Sequence, residues 1–272
     1  MQMHQKIARR LKCRILSPIL AFRCHKIAHN YVIAHDWKRI YHYHIRKTAG
    51  TSLNTAFLSI IGADLQDIAH KNMLMRNDII FVQHDKKLIE RGDYFYGSSH
   101  IAAHKLVVPE KTFTITILRD PLERVISYYR HLMFVRDDPR ASRLEPAFWR
   151  LRRETEWLGS SFGEFVSRMP RARLLNQLYM FSASFSVAEA AERIVACSYV
   201  GFTSSFAAHI SDLADILDLP LKLSWERRFG EKTSPPPEEL AFARTLLKPE
   251  YDLLHRVKPR LGYVGTHYAA TG

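Results

Sequence analysis

Cysteine is scarce in this sequence: Cys13, Cys24 and Cys197 are all it has in 272 residues. An odd, scattered set excludes a disulfide framework and points to a reducing compartment. No Asn-x-Ser/Thr acceptor occurs, so nothing marks the chain as secreted. C-x-x-C and H-E-x-x-H are both absent and the fourteen histidines do not cluster, so no metal is expected. Long apolar runs are missing too, and none approaches the roughly 18 residues that span a bilayer. Pro18, Arg23 and Lys26 break up the stretch that a signal peptide would need. Apolar residues still make up 47% of the chain, which suffices for the core of one domain.

Acidic residues are rare at one end only. Residues 1–47 hold eleven Lys/Arg against Asp36 alone, leaving 29 of the 40 basic and 26 of the 27 acidic residues to the rest. Most of the net charge of +13 therefore lies in residues 1–47, whose basic N-terminal arm is taken as residues 1–37. Ile7, Leu11 and Ile15 recur there at i, i+4, i+8 among Lys6, Arg9, Arg10, Lys12 and Arg14. That amphipathic basic pattern suits an anionic membrane surface, or a helix docked on the domain with its basic face in solvent. No nucleic-acid partner is expected.

Ile40 to Leu53 is the most telling stretch. An aromatic-rich strand pattern runs into Lys47-Thr48-Ala49-Gly50-Thr51-Ser52, and a helical pattern follows from Leu53. A strand that delivers small residues to a helix N-terminus makes an anion cradle, because backbone N–H groups and the helix dipole converge there. Lys47 adds a full charge, and Thr48, Thr51 and Ser52 add hydroxyls. The usual nucleotide cradle G-x-x-x-x-G-K-[ST] does not fit. Tyr41 and Arg46 stand where its glycines belong, and Gly50 comes after the lysine.

A second strand-to-helix turn follows. Lys111–Leu118 is β-branched and apolar, and it ends at Arg119-Asp120-Pro121-Leu122-Glu123-Arg124. Asp120 is an N-cap, Pro121 suits the first helical position, and Glu123 completes a capping box. Arg119 then lies at a strand's carboxyl end, where open α/β sheets bind ligands, and Ser127 lies two turns into the helix. A guanidinium fork matches two phosphate oxygens at once.

K-T-A-G-T-S and R-D-P-x-x-R-x-x-S-x-Y, in that order, resemble the 5′-phosphosulfate and 3′-phosphate elements of sulfotransferases that use 3′-phosphoadenosine 5′-phosphosulfate (PAPS). The carbohydrate branch that includes heparan sulfate 2-O-sulfotransferase is most similar, although Arg46 stands where it usually has proline. The resemblance spans about residues 38–262. It implies a three-layer α/β/α fold with a central parallel sheet, like that of nucleotide kinases, in one domain over 38–265. It further implies that residues Lys47 to Ser52 hold the 5′-phosphosulfate and that Arg119 and Ser127 hold the 3′-phosphate. The basic loop at Arg227–Ser234 would close over the nucleotide through Lys232 and Thr233. Asp93–Ser99 resembles the strand that leads to the family's base, which makes His100 the candidate general base and His104 the reserve. Asp93 is a more distant possibility. His42 and His44 are expected to be sheet residues.

The Arg- and Trp-rich stretch at about 131–173 is expected to be an acceptor-side insertion, and Asn176-Gln177 matches a stretch that follows in the family. Sulfuryl transfer to a hydroxyl of a saccharide or glycolipid is implied, with no metal. Relatives carry a membrane anchor at this end. Its absence implies a cytoplasmic, bacterial-type member, peripheral at the inner membrane surface if the arm meets lipid. Two rivals stay open: a kinase with a variant loop, needing Mg²⁺ and a strand-end aspartate, and a non-catalytic anion- or nucleic-acid-binding module.

Overall fold

The computed structural model describes residues 19–145, 147–223 and 234–261. The amphipathic pattern at 7–15 and the basic loop with Lys232 and Thr233 lie outside them.

Six strands form one sheet in the order β2-β3-β4-β1-β5-β6. They are β1 (Arg39–Tyr43), β2 (Met73–Arg76), β3 (Ile79–Gln83), β4 (Tyr96–Ser99), β5 (Thr112–Leu118) and β6 (Tyr199–Phe202). Every neighbouring pair is parallel except β2–β3. That exception is a hairpin whose two turn residues, Asn77 and Asp78, both have positive φ. Such a turn matches the twist of antiparallel strands, and Asn and Asp tolerate it best after glycine. The expected parallel sheet thus carries one antiparallel edge strand.

Helices cover both faces, giving three layers. Side chains alternate along each strand, so β5 sends Phe113, Ile115 and Ile117 to one core. There they meet Leu53 and Phe57 of the Gly50–Leu58 helix and Ile210 and Leu213 of the Phe206–Leu217 helix. Leu118 and Val200 face the other core, with Val125, Leu132, Leu178, Ile194 and Leu254 from the helices opposite. A helix over 19–29 adds Cys24 and Ile27 to a third cluster around Tyr41 and Val82. The two closing helices, Pro237–Leu246 and Lys248–Val257, break at Leu247. Pro249 lies within the first turn of the second, where its missing N–H costs nothing.

One polar cluster lies inside this apolar packing. Arg124 and Glu250 are both fully buried and approach to 3.3 Å. Glu250 also accepts from the Gln177 backbone N–H at 2.6 Å and from Gln177 Nε2 at 3.1 Å. Arg124 also donates through its two Nη atoms to the carbonyls of Arg173 and Leu174, while its buried Nε has no hydrogen-bond partner. Removing one partner of such a pair strands the other charge, which typically costs about 3–5 kcal/mol. Glu250→Ala should therefore lower the thermal midpoint by ten degrees or more, measured by calorimetry, whereas an exposed-pair variant such as Asp252→Ala should leave it within two degrees.

Candidate functional site

Because four neighbouring strands run parallel, the segments that follow β1, β4, β5 and β6 all emerge at one edge of the sheet. A cavity of about 380 Å³ opens there. Lys47, Ala49, Gly50, Thr51 and Ser52 line it from the β1 turn, His100 from the β4 end, Arg119 and Ser127 from the β5 end, and Thr203 from the β6 end.

The β1 turn gets its shape from two left-handed residues, Lys47 (φ 66) and Ala49 (φ 62). Non-glycine residues hold that conformation infrequently, in tight turns and at functional sites. The helix begins at Gly50, three residues before the sequence pattern suggests, and no side chain caps it. An uncapped helix end with Lys47 beside it attracts an anion. Thr48 behaves differently from its neighbours. It is fully buried and donates its hydroxyl to the Ile45 carbonyl at 3.0 Å, so its side chain braces the turn instead of facing a ligand. Gly50 is required for a steric reason. A Cβ there would come within 2.1 Å of the His44 ring and 2.9 Å of the His42 ring.

Arg119 joins the two phosphate-type elements. Its Nη1 donates to the Lys47 carbonyl at 3.2 Å, and its Nε is 3.4 Å from a Glu123 carboxylate oxygen. Asp120 caps the Pro121–Asp137 helix by accepting the Glu123 N–H at 2.9 Å. The expected capping box is thus replaced by a cap plus an Arg119–Glu123 contact. Gln177 grips the Arg119 backbone on both sides, accepting its N–H at 2.8 Å and donating to its carbonyl at 3.0 Å. Asn176 accepts the Arg46 N–H at 3.1 Å. The Asn-Gln pair therefore positions both turns.

The histidines form a column. His42 stacks on His44 with ring centroids 5.0 Å apart, His44 meets His100 at 4.2 Å, and His84 stacks on His100 at 5.4 Å. His44 is not merely a sheet residue, since it lines the cavity just past β1. His42 is fully buried and contacts Asn54 and Tyr96, as a core residue would. Burial pushes the His42 imidazole down to about 4. His44 and His100 are held well below the ordinary histidine value, first by burial and then by neighbouring rings and cations. His100 Nδ1 lies 2.5 Å from the His44 carbonyl. A neutral ring in that position donates through Nδ1 and keeps its lone pair on Nε2. The two reserve candidates lie elsewhere. His104 packs against Tyr179 and is not part of the cavity wall. Asp93 precedes β4, at the opposite edge, where Arg91 (2.5 Å) and His25 (2.9 Å) hold it.

The far wall comes from Tyr128, His131, Glu145, Arg150 and Leu151. These lie within or beside the Arg/Trp-rich segment, yet its Trp149 is 80% exposed and Trp157 packs on the main core. His131 and Glu145 pair at 2.9 Å. Sequence reasoning assigned no role to Arg46, Tyr128, His131, Glu145 or Arg150 individually. The only signal for Arg46 was its place where proline is usual.

With this geometry in view, residues 29–233 match the sulfotransferase family. The chain belongs to that family. It is also similar to heparan sulfate 2-O-sulfotransferase 1 of Homo sapiens, Mus musculus and Gallus gallus, at 26% identity over 99 residues in each case. That match covers 33% of this chain and 28% of each relative. Among the described residues no helix is long and apolar enough to cross a membrane.

Gly50→Ala provides a test of the cradle. Overpacking of this kind typically costs about 1–3 kcal/mol. The variant should remain folded, with a thermal midpoint only a few degrees lower. Affinity of the turn for an anion, read with inorganic sulfate by calorimetry, should drop at least tenfold, since the added methyl must displace His44 or the turn.

Proposed function

We propose that this protein transfers a sulfuryl group from PAPS to a hydroxyl of a saccharide. The observation that carries this reading is the meeting of the Lys47–Ser52 turn, Arg119 with Ser127, and His100 around one cavity. The matched relatives, whose names specify heparan sulfate, favour a saccharide acceptor. The cavity fits the donor's two anionic ends, with a lysine and helix terminus at one and a guanidinium with a hydroxyl at the other. Bound there, PAPS supplies the sulfuryl group, whose S–O bond to the 5′-phosphate breaks as the acceptor oxygen bonds to sulfur.

Each residue then has a separate task. Lys47 and the Gly50–Leu58 helix end offset charge on the departing phosphate oxygen. Arg119 and Ser127 fix the 3′-phosphate and so the line of attack. The Arg119–Glu123 contact that must yield is a long one, 3.4 Å with a mostly exposed carboxylate, and such pairs contribute little. His100 takes the acceptor proton on Nε2. A kinase would instead transfer a phosphoryl group with Mg²⁺, and the family match favours sulfuryl transfer.

Calorimetry tests the donor site. The bisphosphate 3′-phosphoadenosine 5′-phosphate should bind without metal, with AMP at least tenfold weaker. Arg119→Ala should abolish that difference, since one charge-assisted contact is typically worth about 1.5–3 kcal/mol. Equal affinities for the two nucleotides in the intact protein would refute the assignment of Arg119.

His100→Ala should lower turnover about 10²–10⁴-fold, the usual effect of losing a general base, while bisphosphate affinity stays within threefold. The direction of the pH effect follows from the environment of His100. Burial and nearby cations favour the neutral ring, which is the form able to accept a proton. The acid limb of kcat/KM should therefore lie below pH 6.5, the ordinary histidine value. A limb at or above 6.5, or a profile unchanged in His100→Ala, would remove His100 from the role.

A further inference from the structure

The cavity holds more positive charge than a phosphate cradle and a 3′-phosphate clamp require. Arg46 and Arg150 both line it, together with His100. Arg46 lies three residues past the end of β1, and Arg150 reaches the same space from the Phe148–Glu154 helix. The backbone of Arg46 is fixed by Asn176, yet its Nε is buried without a hydrogen-bond partner. Arg173 also acts on it electrostatically.

Among the described residues, the acids near these cations already have other partners. Glu154 is taken up by Arg173 at 3.1 Å and by the Tyr128 hydroxyl, and Glu145 is paired with His131 at 2.9 Å. The guanidinium of Arg46 is pushed down to about 10, first by burial and then by repulsion from Arg150 and Arg173, with Tyr128 and Glu154 opposing too weakly to reverse it. Charges of one sign, brought together in a partly dehydrated cavity, are relieved by an anion that reaches all of them.

We infer that Arg46 and Arg150 form a second anion-binding subsite, separate from the donor cradle, that receives an acidic group of the acceptor close to the hydroxyl facing His100. The inference rests on the proposed sulfuryl transfer for its biological meaning. It rests on cavity geometry alone for the existence of the subsite. A carboxylate or sulfate ester on the acceptor has the required charge and planar or tripodal oxygens. A neutral sugar would leave the guanidinium groups unpaired and be selected against.

Inorganic sulfate, titrated calorimetrically, separates the two sites. The free protein should bind sulfate at two sites, and one should survive saturation with 3′-phosphoadenosine 5′-phosphate. The surviving site should weaken at least tenfold in Arg46→Gln and in Arg150→Gln, recover most of its affinity in Arg46→Lys, and be unaffected by Arg119→Ala. Thermal midpoints within a few degrees of the parent, together with the Arg46→Lys recovery, distinguish loss of charge from loss of fold. Sulfate binding that disappears when the bisphosphate is present, or that ignores both Arg46 and Arg150, would overturn the subsite. If the bisphosphate does not bind at all, the sulfuryl-transfer reading fails, while the sensitivity of sulfate binding to Arg46 and Arg150 still decides the subsite.

Discussion

The buried Glu250 carboxylate is the constraint on which the site depends. It belongs to the last described long helix and touches no cavity residue directly, yet it neutralises Arg124 and orients Gln177. Gln177 in turn holds the Arg119 backbone from both sides. A carboxylate removed from water is costly unless every lone pair is used, and Glu250 uses its oxygens on Arg124, Gln177 and Leu178. An apolar replacement could pack as well but could not fix Arg119 in one register. The stability of this cluster and the position of the clamp are therefore one property.

The cavity's electrostatics divide the same way. Cations line it from several elements, and burial first, then these cations and the neighbouring rings, keep His44 and His100 neutral. The neutral ring is the form that can accept a proton, yet the surroundings that keep it neutral also make it a weak base, because protonating it adds one more like charge. Once an anionic donor occupies the cradle, that repulsion is partly relieved and the ring becomes more basic. In the proposed reaction, donor binding would thereby raise the affinity of His100 for a proton at the step where it must take one.

Much of the fold was legible from local pattern. The strand-to-helix turns at Lys47 and Arg119 were marked by small residues, a cap and a proline, each acting within a few residues of its own position. The parallel sheet followed from those turns, and the antiparallel edge strand was missed because its Asn77-Asp78 turn lacks glycine. Candidate site residues were less evenly readable. Thr48 has the composition of a ligand residue, but its hydroxyl is spent within three residues of itself. His44 was read by strand period as a sheet residue, and only packing shows its carbonyl meeting His100 across 56 positions. Glu250 lies 126 residues from Arg124, and nothing nearby in sequence announces such a partner.

One steric fact links the two halves of the proposed chemistry. His44 lies directly beneath Gly50 and against His100, so a single ring forms the floor of the turn and the side wall of the base. Because Gly50 lacks a Cβ, the helix end and the imidazole can approach more closely than any other residue would permit. A shift of the β1 turn on anion binding would press on His44, and through it on His100 and the carbonyl that sets its tautomer. In the proposed reaction the distance between donor and base would therefore be set by the packing of His44 against Gly50 and His100. This is the kind of rigid support that an in-line transfer needs, because small displacements of the reacting groups are expensive.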